Sequence, residues 1–398
     1  MSDPAAKKSD SNRQAAMRFI LLLGLVSLFG DITYEGARSI TGPFLALLGA
    51  SATVVGVVAG LGELIGYSLR LFTGFVTEKT GRYWLIALCG YIINFVSIPL
   101  LSIAGSWPAA ASLMIAERFG KAVRTPARDS MLSHATTQVG TGWGFGIHEA
   151  MDSTGSLIGP LIIAGILFWH TGAYRTGFGI LFIPALLALG MLLTARIIYP
   201  NPREFEKVST KPRPDHLTSV FWLYLAATAL IAAGFADFAL IAYHFKKLAL
   251  VADAVIPLMY ALAMGVNGIA ALALGRIYDR IGINTLLITT LLSTLFAPLV
   301  FLGSVQLAVL GMVVWGIGMA AQQSVLRAAI CEITACDKRG SAYGIFNAGY
   351  GIAWFLGSAL MGVLYDHSIM ALVIFSVLIQ LAAIPVLLVT RSRVAWQP

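Results

Sequence analysis

From Met17 to Thr390 the chain is a succession of apolar runs separated by short breaks. Each run is about 20 residues, enough to cross roughly 30 Å of hydrocarbon as a helix. Of the side chains, 58% are hydrophobic and 12% charged, whereas soluble domains run to about a quarter charged. A water-soluble core could not hide so much apolar surface, so the expected class is an all-α integral membrane protein.

The first run follows Lys7, Lys8, Arg13 and Arg18, as a secretory signal would, but it continues through Asp31 without a small-residue cleavage pattern. It reads as a retained span. Cys89, Cys331 and Cys336 are too few and too scattered for a disulfide framework, and free thiols are expected. The net charge of +8 sits in the loops between spans, as membrane insertion demands, so nucleic-acid binding is not expected.

Hydropathy and loop punctuation place spans near 17–42, 52–74, 83–104, 108–130, 141–168 and 176–197, then near 218–243, 254–275, 284–303, 306–329, 340–364 and 368–390. Of the 27 Lys and Arg, only Arg175, Lys246 and Lys247 fall in the outer loops of this topology, and Arg38, Arg70 and Arg118 fall within spans. The remainder crowd one side, which places both termini in the cytoplasm of a multi-pass inner-membrane protein. Residues 199–216, YPNPREFEKVSTKPRPDH, form a polar, proline-rich connection. The expected organisation is thus an N-terminal six-helix bundle over 1–197, a cytoplasmic linker over 198–217 and a C-terminal six-helix bundle over 218–398.

The halves repeat one another. GFVTEKTGRY from Gly74 and GRIYDRIGIN from Gly275 share G-x-x-x-[DE]-[KR]-x-G, with Glu78 and Asp279 equivalent, and both are expected in the loop after the second span of their half. Phe29-Gly30-Asp31 matches Phe235-Ala236-Asp237, Thr125 to Arg128 matches Ser324 to Arg327, and Gly146 and Gly159 match Gly344 and Gly357.

With these motifs the sequence resembles the major facilitator superfamily. Gly74, Glu78, Lys79, Gly81 and Arg82 match its signature loop, with Glu78 where Asp is usual, and Arg118 matches its buried fourth-span arginine. Gly146, Gly155 and Gly159-Pro160 follow the spacing of the fifth-span motif found in the superfamily's antiporters. The resemblance implies twelve transmembrane helices in two pseudo-symmetric bundles that open alternately to either side. It also implies gating roles for Glu78 and Asp279, with Arg280 and Gly282 completing the second copy of the loop.

Ionisable groups at membrane depth are costly and usually face a cavity or a partner. Asp31, Glu35, Arg38, Glu63, Arg70, Glu117, Arg118, His148, Glu149 and Asp152 lie in the first half, against chiefly Asp237 in the second. His148, Glu149 and Asp152 align with Phe346, Asn347 and Tyr350, so the scaffold does not require those charges. Asp31, Glu35 and Arg38 share a helical face and can form a local ion-pair ladder, either static or serving proton exchange. His148, Asp152, Gly155 and Gly159 share another face; for the glycines close packing is the simpler role, and Pro160 can distort the helix. Lys121, Arg124 and Arg128 are expected to snorkel toward the surface and pair with Glu78 or nearby loops, while Arg118 can meet a substrate carboxylate or a proton-binding Glu. The aromatics Trp143, Phe145, Tyr343 and Phe346 can pack or wall a cavity.

The expected proton-coupling residues are therefore Asp31, Glu35, Glu149 and Asp152, and the expected substrate contacts are Arg38, Glu63, Arg118, Lys121, His148 and Asp237. The leading function is proton-coupled antiport exporting a small organic solute, by a monomer with no cofactor and no resident metal. No P-loop is present to couple ATP hydrolysis, and no nucleophile and base arrangement points to an enzyme. Symport of an anionic or metal-chelated nutrient and transport of a divalent metal, through His148-Glu149-Ala150-Met151-Asp152, are the alternatives.

Overall fold

The computed structural model describes residues 4–201, 219–326, 329–330 and 339–393. Most of the linker, together with Arg327, Cys331 and Cys336, lies outside the described residues. The first half comprises α1 (Pro4–Leu47), α2 (Ala52–Thr80), α3 (Tyr83–Ile103), α4 (Trp107–Val139), α5 (Thr141–Trp169) and α6 (Tyr174–Ile198). The second comprises α7 (Ser219–Lys247), α8 (Val255–Ile281), α9 (Asn284–Phe301), α10 (Val305–Val325), α11 (Arg339–His367) and α12 (Ile369–Arg393). Among the described residues eleven of these are long and apolar enough to cross a membrane. The exception is α4, whose middle carries Glu117, Arg118, Lys121, Arg124 and Arg128; as shown below, those charges are held inside the bundle.

Helices outrun their hydrophobic cores. The repeated motif, expected in loops, lies largely on helix: Gly74, Glu78 and Lys79 are on α2 and Gly275, Asp279 and Arg280 on α8. Gly81 ends α2 with φ 64° and donates its N–H to the Thr77 carbonyl, and Gly282 ends α8 with φ 56°. A left-handed residue is what a helix C-terminus needs, and glycine adopts it without a Cβ penalty. The second glycine of each motif copy is therefore a helix stop.

α7, expected as one uninterrupted span, breaks between Gly234 and Phe238. Backbone groups released inside a bilayer must find partners, and here side chains of α12 and α10 supply them. Ser376 Oγ and Gln380 Nε2 donate to the Gly234 carbonyl at 2.6 and 3.1 Å, and Trp315 Nε1 donates to that of Ala236 at 2.9 Å. Asp237 then caps the second segment by accepting from Ala239 N at 3.0 Å.

Apolar side chains offer little drive for helix association in lipid, so close packing of small residues carries it. The halves meet where α2 packs on α11 and α1 on α7, with α5 and α1 also touching α8. Gly56 lies against Ser358 and Gly362, and Gly42 against the backbone of Ala239 and Tyr243; a Cβ at either would collide with backbone. One buried cluster runs through both halves, with Phe44, Phe178 and Tyr243 toward the end opposite the repeated motifs. Asp366 on α11 seals the same end by accepting from Ala52 N, Thr53 N and Thr53 Oγ1 at 3.1, 2.8 and 2.7 Å. Large apolar side chains such as Phe168, Trp169, Ile197 and Leu272 stand on the outer surface, as a lipid-facing wall requires.

Candidate functional site

Where α1, α2, α4 and α7 converge, five charged side chains form a continuous network. Arg38 donates through Nη2 to Glu63 Oε1 at 3.2 Å and to Asp237 Oδ2 at 3.0 Å. Arg118 Nη1 lies 2.9 Å from the same Glu63 oxygen, and its Nε is 3.6 Å from Glu117 Oε2. Asn94 on α3 donates to Glu117 Oε1 at 2.7 Å. Glycine at position 62 leaves room for the Arg118 stem against α2, since a Cβ there would press on Arg118 Cγ. Tyr34 on α1 offers its ring to two cations, with Lys121 Nζ 3.2 Å and Arg118 Cζ 5.1 Å from its centroid.

Glu35, one turn before Arg38, has a different environment. It is buried, and Tyr260 on α8 donates to its Oε2 at 2.5 Å. No cation lies within ion-pair distance of it among the described residues. Two contacts thus tie the halves together near mid-membrane, one between fixed charges and one between a carboxyl group and a phenol.

The network borders a cavity of about 50 Å³, lined by Tyr34, Arg38, Glu117, Arg118 and Asp237 together with apolar residues such as Val55 and Met114. That space suits a few water molecules rather than an organic solute. As the side chains stand, the charges hold the two halves together beside this space.

A second polar cluster lies between α1, α4 and α5. Arg128 donates to Asp129 Oδ1 through Nε and Nη2 at 2.9 and 2.8 Å and to Ser27 Oγ at 2.9 Å, and it stands 3.9 Å from Asp152 Oδ1. Ser27 Oγ also meets His148 Nε2 at 2.9 Å. Asp31 sits beside Asp152 and accepts from Ser156 Oγ at 3.4 Å.

The expected ladder of Asp31, Glu35 and Arg38 does not form, because the three side chains serve different neighbours: α5, α8, and the pair α2 and α7. Lys121, Arg124 and Arg128 do not snorkel. Arg124 is 1% exposed, with its guanidinium 4.4 Å from the Tyr91 ring centroid and 5.8 Å from that of Phe95. Turned inward, these cations meet aromatic faces and Asp129 instead of Glu78, which stands exposed at the motif end, as does Asp279.

The structure gathers Arg38, Glu63, Arg118 and Asp237 into one site with Lys121 at its edge, and it places His148 and Asp152 in the second cluster. Glu149 lies on the exposed face of α5. Gly155 and Gly159 press α5 onto the α1 backbone at Leu28 and Ile32, whereas Gly146 faces open space and packs against nothing. α5 stays helical through Pro160. Among the described residues no three His, Cys, Asp or Glu side chains converge as metal ligands. Sequence reasoning missed Tyr34, Glu117, Asn94 and Tyr260 as parts of the site. Glu117 stood out as an intramembrane charge beside Arg118, but nothing local distinguishes Tyr260 from the other tyrosines.

A profile described as Major Facilitator Superfamily matches residues 27–306 and 251–398, which between them take in the helices that build both clusters. The chain belongs to the major facilitator superfamily. An uncharacterised protein of Mycobacterium tuberculosis is 42% identical over 99% of this chain and 98% of its own length. An uncharacterised MFS-type transporter of Methanocaldococcus jannaschii is 23% identical over 91% of this chain and 92% of its own. Among solved structures, a bacterial homologue of the human lysosomal transporter Spinster, inward-facing and occupied, superposes with TM-score 0.73 at 15% identity, covering 95% of this chain and 98% of the other. The chain is accordingly a multi-pass membrane transporter of small molecules with the fold of this superfamily.

Proposed function

We propose that this major facilitator superfamily member is a proton-coupled antiporter that exports a small organic solute. In this reading the motif end and both termini face the cytoplasm, and the chain works as a monomer of two bundles joined by the linker. The observation that carries it is the pair of mid-membrane contacts between halves, Arg38 with Asp237 and Glu35 with Tyr260. A buried ion pair broken on one side leaves an uncompensated charge, so Arg38 and Asp237 separate only if something replaces the lost partner. Solute groups entering the cavity can do so. Glu35, held by a neutral donor, can gain or lose a proton without leaving a cation stranded.

Arg38 and Arg118 both line the cavity, which favours symport of an anionic solute as the second reading, since guanidinium groups match carboxylates and phosphates. Proteoliposomes with an imposed pH gradient separate the two. Solute moving against the proton flux supports antiport, solute moving with it supports symport, and no movement across a broad panel of organic cations, anions and neutral solutes removes both.

A further inference from the structure

The second half contributes a pocket that the charge network does not use. It lies at the seam between α2 and the pair α10 and α11, holds about 20 Å³, and is lined by Tyr67, Gln322, Gln323, Asn347, Tyr350 and Trp354 among others. Three independent features distinguish it from ordinary packing. First, α10 changes to a π-helical turn over Ala321–Val325. Such turns are uncommon and recur at functional sites, and this one places both glutamines on the pocket wall. Secondly, Trp354 is 2% exposed, yet its Nε1–H has no hydrogen-bond partner among the described residues. A buried donor left unsatisfied costs about 1–3 kcal/mol, a cost that an acceptor in the pocket would remove. Thirdly, Phe346 and Tyr350 lie nearly parallel, 21° apart with centroids 5.6 Å apart, and Tyr67 meets Tyr350 edge-on at 5.3 Å.

The amides are unevenly committed. Gln322 Oε1 accepts from the Tyr350 hydroxyl while its Nε2 donates to the Gly318 carbonyl, and Gln323 Oε1 accepts from Asn267 Nδ2, which leaves Gln323 Nε2 without an acceptor among the described residues. Asn347 makes no side-chain hydrogen bond among the described residues. The lining therefore combines N–H donors with aromatic rings, and it contains no Asp, Glu, Lys or Arg. In the internal repeat Asn347 and Tyr350 occupy the places of Glu149 and Asp152, so the scaffold position that carries charge in one half carries amide and ring in the other.

We propose that this pocket is the specificity subsite of the transported solute, and that it takes an uncharged planar ring with hydrogen-bond acceptors on its edge. The inference rests on the transporter reading above and adds the substrate class. As α2 and α11 part, Tyr67 leaves the Tyr350 ring, the solute ring takes its place there, and its edge accepts from Trp354 Nε1 and the Gln323 and Asn347 amides. Any charged substituent is left to the network at Arg38 and Asp237.

The test uses the full-length protein and a fixed panel: nicotinamide, uracil and adenine as planar acceptors, with glucose, lactate and lysine as controls. Binding is read by ligand-induced shift of the unfolding temperature and by equilibrium dialysis in detergent, and transport by uptake into proteoliposomes. At least one planar compound is expected to bind in preference to the controls. Trp354→Phe, which removes the donor and keeps an aromatic, though smaller, ring, should weaken it about five- to tenfold. Asn347→Ala, at a half-exposed position that tolerates truncation, should weaken it severalfold even if Trp354→Phe folds poorly. No planar compound binding, or unchanged affinity in a folded variant, overturns the subsite. Controls that are transported while the rings neither bind nor move refute the subsite and leave the transporter reading intact. Rings that bind through Trp354 yet are never moved show a binding site there but overturn its assignment to the transported solute.

Discussion

Arg38 of α1 and Asp237 of α7 pair at 3.0 Å across the boundary between the halves, and Asp237 does so from the break in its own helix. The carboxylate caps α7 and anchors Arg38 together, so one residue sets both the local backbone and the global closure. Asp237→Asn is expected to destabilise the closed state by about 3 kcal/mol, because Arg38 then retains only Glu63. The double variant Arg38→Gln, Asp237→Asn should recover thermal stability without recovering transport. Unfolding temperatures in detergent, compared with proteoliposome flux for the three proteins, check both halves of the statement.

Glu35 should behave as a coupling group and not as a structural one. Glu35→Gln keeps the shape and a partner for the Tyr260 hydroxyl, so folding and solute counterflow without a gradient are expected to persist. Uptake driven by a pH gradient should fall at least tenfold. Tyr260→Phe should lower the driven rate severalfold while leaving coupling in place. Loss of both counterflow and driven transport in Glu35→Gln would assign Glu35 to the solute instead.

Gly155 and Gly159 set the distance between α5 and α1. Gly159→Val must displace the Ile32 carbonyl and Gly36 N, which lie where its Cβ would stand, and is expected to cost about 1–3 kcal/mol. Gly146→Ala, at a position facing open space, should leave the unfolding temperature unchanged or raised. The contrast within one sequence motif separates packing from family spacing.

The membrane class, the repeat and the helix order were legible because hydrophobic length and periodicity report them directly. The buried charges were legible as a set, since any intramembrane Arg or Glu is conspicuous. Their pairing was not. Asp31, Glu35 and Arg38 share a face by periodicity, yet partners on three other helices outcompete the local ladder, and only the tertiary arrangement names those partners. The break in α7 was hidden because Gly234 to Asp237 reads as apolar span; it exists because Ser376, Gln380 and Trp315, far along the chain, accommodate the freed carbonyls. The inward turn of Arg124 was likewise set by Tyr91 and Phe95 on α3, invisible in the spacing of α4.

The proposed topology rests on the distribution of cations. Arg82, Arg280 and Arg393 lie at the motif end, and Arg175, Lys246 and Lys247 at the other. In a variant with all three cysteines replaced by serine, a single cysteine at Gly105 or Gly172 should react with a membrane-impermeant maleimide in intact cells. One at Arg82 or Arg393 should react only after permeabilisation. The reverse pattern would invert the orientation and with it the direction assigned to transport.

The seal made by Asp366 should govern access to the cavity from the end opposite the motifs. Its carboxylate satisfies two backbone N–H groups at the start of α2, where the helix dipole also favours a negative charge. It does so from the other half, so the contact holds the halves together at this end and is lost whenever they separate there. Asp366→Ala removes three charge-assisted bonds, two from backbone N–H groups and one from the Thr53 hydroxyl, from the closed state only. Each such bond contributes about 1.5–3 kcal/mol, part of which water regains at the rim, so an equilibrium shift of about tenfold toward opening is expected. A reporter cysteine at Thr41, which lines the cavity, should then be labelled about tenfold faster by an impermeant thiol reagent added from that side. Asp366→Glu, which keeps the charge on a longer arm, should fall between the two. If Asp366→Ala leaves the labelling rate unchanged, the seal lies instead in the packing of Ala239 and Tyr243 against Gly42 of α1, and Tyr243→Ala is the variant that should open it.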